Sequence, residues 1–101
     1  QVQEALQEAS TALRTLYYDD SEMNQVVTTL QSSINKTLQA GWKGTAITKE
    51  YVETNYAEEI KQTKRLYSGL SNEKRQQLKK DIVNSMSLDA LSVLYDYFLE
   101  G

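Results

Sequence analysis

The sequence contains no cysteine, no histidine and no proline. Without cysteine there is no disulfide framework and no thiol nucleophile, and thiol usage carries no information about redox compartment. Without histidine, imidazole acid–base catalysis and most transition-metal sites are excluded. Without proline, the punctuation of the chain falls to four glycines, Gly41, Gly44, Gly69 and Gly101. A chain of that kind reads as helices separated by glycine stops. No apolar run approaches the roughly 18 residues of a membrane-spanning helix. The N-terminus also lacks the basic-then-apolar order of a signal peptide. A start at Gln1 rather than Met is that expected of a mature or trimmed product.

What remains has the composition of a globular protein, with 40% hydrophobic and 25% charged residues over 101 positions. That length predicts one domain, residues 1–101, able to bury a core without metal or disulfide support. The net charge of −3 gives no global attraction for nucleic acid or an anionic membrane.

Apolar spacing sets the fold class. Val2, Leu6, Ala9, Leu13 and Leu16 alternate steps of four and three, one stripe of an α-helix. Asp20 or Ser21 can cap a second helix carrying Met23, Val26, Val27, Leu30, Ile34 and Leu38 and stopping at Gly41. Thr48 can cap a third, with Val52, Tyr56, Ile60, Tyr67 and Leu70 in its apolar row and Thr63 as a gap. Gly69 stops it and Ser71 begins another, with Leu78, Ile82 and Met86 in a narrow stripe. Ser85 or Ser87 caps the last segment, SLDALSVLYDYFLEG. There Leu88, Leu91, Leu94, Tyr95 and Phe98 form one face, and Val93, Tyr97 and Leu99 fall outside it. The expectation is an all-α protein, a single antiparallel bundle of four to five helices.

The same residues say little for catalysis. Asp19, Asp20 and Glu22, and Glu50, Glu53, Glu58 and Glu59, sit at helix starts and on polar faces, positions that predict capping and solvation rather than acid–base work. The spacing of Asp19-Asp20-Ser21-Glu22 lacks the alternating ligands and central glycine of a calcium loop. Serines are plentiful, but no Gly-x-Ser-x-Gly elbow is present. No enzyme, metal site or cofactor is expected.

Charge is distributed unevenly. Between residues 61 and 80 stand Lys61, Lys64, Arg65, Lys74, Arg75, Lys79 and Lys80 against one acid, Glu73. The plain reading is a solvated face and complementation of a helix C-terminus. The functional alternative is a binder of anionic ligand, with Lys74, Arg75, Lys79 and Lys80 as candidate contacts. No Arg–aromatic interleaving or recognition-helix pattern points to specific nucleic-acid readout.

Near the middle, QAGWKGTAIT holds the only Trp, Trp42, between Gly41 and Gly44. One reading is an aromatic body laid over the bundle end with glycines permitting the turn. The other is a resemblance. Trp42-Lys43-Gly44, followed by small residues and a helix with Tyr51 in its first turn, resembles the WXG (ESAT-like) family of type VII secretion substrates, small helical hairpins with Trp-x-Gly in the connecting loop. The resemblance covers about residues 22–67 and implies a secretion substrate or partner. In layout the chain is also similar to cytosolic bacteriocin immunity proteins, which are four-helix bundles. Either resemblance implies a bacterial source and a soluble protein, secreted or cytoplasmic.

The function expected from the whole sequence is a non-catalytic interaction module binding another protein or itself. Its candidate contacts are Leu91, Leu94, Tyr95, Tyr97, Phe98 and Leu99 of the last helix, where aromatic and aliphatic clusters supply interface energy.

Overall fold

The computed structural model describes residues 2–99. Gln1 lies outside them, as do Glu100 and Gly101, the end of the last expected apolar segment. Six α-helices are present: α1 (Val2–Arg14), α2 (Ser21–Trp42), α3 (Lys49–Asn55), α4 (Ala57–Ser68), α5 (Asn72–Ser85) and α6 (Leu88–Leu94), which runs into a π-helical turn at Tyr95–Leu99. No strand occurs among the described residues.

The expected stripes account for most of the burial. In α1, Leu6, Ala9 and Leu13 are buried as the four–three spacing requires, and Ala5, Ala12 and Ser10 join them. The small side chains let neighbouring helices approach closely. Central α2 buries Met23, Val26, Val27, Leu30, Ile34 and Leu38. It packs against α1 on one side and α4 on another, while α1 also packs against α6 and α5. One hydrophobic cluster takes residues from all six helices and from Phe98 of the π turn. A radius of gyration of 12.8 Å is that of a compactly packed chain of this length.

Polar groups inside this core are satisfied locally. The hydroxyls of Thr37 and Ser33 donate to the carbonyls four residues back, of Ser33 and Thr29. The Ser10 hydroxyl donates to Asn35 Oδ1 at 2.6 Å, tying α1 to α2. Thr63, the gap in the expected apolar row, is itself buried, and its hydroxyl donates to Glu59 O.

Helix starts follow side-chain chemistry. Asp20 accepts from Met23 N, Thr48 from Tyr51 N, Ser71 from Lys74 N and Ser87 from Ala90 N. Each side-chain oxygen satisfies an amide that has no acceptor within its helix. Ser85 does not cap; its hydroxyl donates to Ile82 O. The cap at Ser87 is itself held from outside. Glu8 of α1 accepts from the Ser87 amide at 2.7 Å and from its hydroxyl at 2.9 Å.

Two features correct the sequence reading. The third helix, expected to be continuous to Gly69, breaks at Tyr56 into α3 and α4, where φ is −125° and ψ is 26°. Thr54 and Asn55 are weak helix formers, and the Asn55 amide donates to Tyr51 O. The Tyr56 ring packs edge-on to Tyr51, with centroids 6.0 Å apart, and its hydroxyl donates to Lys36 O of α2. The second correction is Leu88. Assigned by periodicity to the buried face of the last helix, it is 83% exposed.

Candidate functional site

The Trp-Lys-Gly stretch is the C-terminal cap of α2. Gly44 has φ +104°, in the left-handed region that favours glycine. Around it Thr45 N donates to Ala40 O and Gly44 N to Gly41 O, each at 3.0 Å. This pair of bonds is a Schellman motif, which closes a helix by satisfying its last carbonyls. At Gly41 a Cβ would stand 2.6 Å from the end of the flexible Gln3 side chain, which would have to move aside. Trp42 occupies the last helical position and is 65% exposed, so it does not plug the bundle end.

The basic segment divides into two halves. Lys74 is paired with Asp20 and reaches Glu22 at 3.5 Å. The Lys74 hydrogen bond, with the Met23 amide, holds the Asp20 carboxyl below its ordinary value, and Asp20 in turn raises the Lys74 ammonium. The Arg75 guanidinium donates to the carbonyls of Ser68 and Leu70 at the end of α4. These two candidates therefore hold helix ends together. Lys79 and Lys80 are exposed, and neither has a carboxylate within ion-pair distance among the described residues.

The C-terminal candidates also divide. Leu91, Leu94 and Phe98 are buried at 8%, 0% and 0%, so they are core rather than free surface. Tyr95, Tyr97 and Leu99 are half-buried and pack against that core. Tyr97 and Leu99 thus belong partly to the bundle the sequence placed them outside.

Two concavities flank Tyr95. One is a shallow hollow of about 460 Å³ lined by Leu88, Leu91, Ser92, Tyr95 and Asp96. Leu88, Leu91 and Tyr95 are spaced i, i+3, i+7, one edge of a helix. Asp96 forms an ion pair with Lys49 of α3 at 3.2 Å.

The other is a cavity of about 450 Å³ between α2, α4, α5 and the π turn. Its base is the buried trio Val26, Leu30 and Ile82. Half-buried Tyr67, Tyr95 and Leu99 line it further out, and Lys64, Ser68 and Lys79 complete the lining. Among the described residues no carboxylate lines this cavity. Tyr67 donates its hydroxyl to Arg75 O. Burial, and to a lesser degree Tyr67, raises the Tyr95 phenol above its ordinary value, so it remains a neutral O–H donor at physiological pH.

The structure thus brings Lys79 together with Tyr95 and Leu99, from two regions singled out separately in the sequence. It does not bring Lys74, Arg75 or Lys80 to that cavity. Sequence reasoning missed Lys64, Tyr67 and Ile82 as its walls, because their convergence depends on how α4 and α5 cross α2. Trp42 lies in neither concavity. Among the described residues no group of three or more acidic side chains is placed to hold a metal ion. No helix among them is long and apolar enough to cross a membrane. Compared with known family models, characterised proteins and solved structures, the chain matches none.

Proposed function

We propose that the protein is a non-catalytic helical interaction module that binds another protein, or a second copy of itself, through the outer edge of α6. The observation that carries this reading is Leu88, a large aliphatic side chain 83% exposed at the rim of an apolar hollow. Leu91 and Tyr95 continue the same edge into the π turn, and Ser92 and Asp96 supply polar groups beside it. An i, i+3, i+7 row of this kind suits the face of a partner helix, with apolar contacts in the middle and polar groups at the rim. The absence of His and Cys from the sequence leaves no familiar activated nucleophile, which favours binding over catalysis.

The test is sedimentation velocity over a wide concentration range, with a photo-crosslinking residue placed at position 88 in the native cell. Self-association should disappear in Leu88→Lys, while stability stays within about 0.5 kcal/mol, the scale of surface changes. A heterologous partner should give a discrete adduct from position 88 and none from a control at exposed Glu53. A protein that stays monomeric and gives equal adducts, or none, from both positions defeats the proposal.

A further inference from the structure

We infer that the cavity between α2, α4, α5 and the π turn is a binding site for a small monoanionic amphiphile, an alkyl or arylalkyl carboxylate. Its volume of about 450 Å³ falls in the range typical of small-molecule pockets, roughly 300–1,000 Å³. The deepest lining residues, Val26, Leu30 and Ile82, present only hydrocarbon. An apolar chain entering there removes surface from water on both sides.

The outer part carries the opposite character. Lys79 has no ion-pair partner among the described residues, and among those residues no acid lines the cavity beside it. The Tyr95 hydroxyl has no hydrogen-bond acceptor among the described residues, which leaves it able to donate to an anion. Of the acidic residues on the neighbouring elements, Asp81 accepts from Tyr18 and Gln77, Asp96 pairs with Lys49, Glu59 with Lys36 and Glu22 with Lys74. An ammonium and a phenol at the mouth of a hydrocarbon cavity suit a singly charged headgroup. A phosphate monoester dianion is matched better by a bidentate guanidinium than by one ammonium. Neither nearby guanidinium lines the cavity: Arg75 is occupied by the end of α4, and Arg65 donates to Gln62.

The site does not depend on the α6 edge being an interface, because the two linings share only Tyr95. The experiment is a titration of methyl-labelled protein with decanoate below its micellar range, followed by carbon–proton correlation spectra. Saturable shifts should appear at the methyls of Val26, Leu30, Ile82 and Leu99 and leave Leu88 unmoved. Decanol and decylammonium should bind at least about tenfold more weakly than decanoate. Lys79→Met should weaken decanoate by a similar factor and leave decanol unchanged, and raised salt should act on decanoate alone. Equal binding of decanoate and decanol, insensitive to Lys79→Met, would overturn the headgroup assignment. Shifts centred on Leu88 and Leu91, or no saturable binding, would overturn the site. Leu30→Phe, which fills the base with a larger apolar side chain, provides the second variant: folded protein that still binds decanoate with unchanged affinity also refutes it.

Discussion

At the scale of single residues, Trp42 and Gly44 show how a motif-like stretch can be resolved into separate physical roles. Gly44 is needed because a Cβ at φ +104° is strained, and the strain would act on the motif that closes α2. Gly44→Ala should lower stability by about 1 kcal/mol, the usual penalty for a left-handed alanine. Trp42→Ala should stay within about 0.5 kcal/mol, because the indole is mostly in solvent already. Denaturant titration of both variants checks the pair, and a loss of several kcal/mol at Trp42 would contradict its exposure. A second expectation concerns Asp20 and Lys74. Asp20 is depressed below 3.8, so its contribution is present above that value and is lost as pH falls through the lower folded-state value. Lys74 is raised above 10.5, so its contribution is present below that value and is lost as pH rises through the folded-state value. The stability difference between the native protein and Lys74→Met should therefore be a plateau at neutral pH that shrinks at both extremes. Thermal melts across pH measure it. A difference that does not change with pH would mean that Lys74 acts by packing alone.

At the scale of elements, the caps are the most legible feature. Thr48 and Ser71 are identifiable from residue type and position, because the amides they satisfy belong to their own first turn. Between Asp20 and Ser21, and between Ser85 and Ser87, residue type alone does not choose. The structure chooses Asp20, which Lys74 also holds, and Ser87, which Glu8 holds. The break at Tyr56 was hidden for a similar reason, since the groups that fix it include the carbonyl of Lys36 on another helix. Periodicity assigns Leu88 to the buried face because it gives the face of a helix but not where its neighbour stops, and the side chain is exposed. Likewise the cavity's two ends could be named as a basic stretch and an aromatic helix, but not their meeting. The Glu8–Ser87 cap yields a prediction. Glu8→Ala removes the acceptor of both the amide and the hydroxyl of Ser87 and should lower stability by about 1–2 kcal/mol. The Ser87→Ala and Glu8→Ala effects should be less than additive, as expected for residues in one hydrogen-bonded unit. Full additivity would show that the two do not act together.

At the scale of the whole molecule, the packing of α1 against α6 joins the first described helix to the last. Leu6 and Leu13, both inaccessible to solvent, lie on a face that α6 helps to cover. On the ribosome those two helices are separated in time as well as in sequence. The apolar stripe of α1 emerges early and waits, partly covered by α2, until residues 88–99 have cleared the exit tunnel. Folding of this domain therefore waits until residues 88–99 are outside the tunnel, and the nascent chain is a natural client for holding chaperones during that interval. An arrest-peptide force profile should show little pulling force while α1 to α5 emerge. A single sharp rise should follow as α6 and the π turn become available. An early rise, before residue 88 is outside the tunnel, would mean that the first five helices close on their own and that the last is added to a finished core.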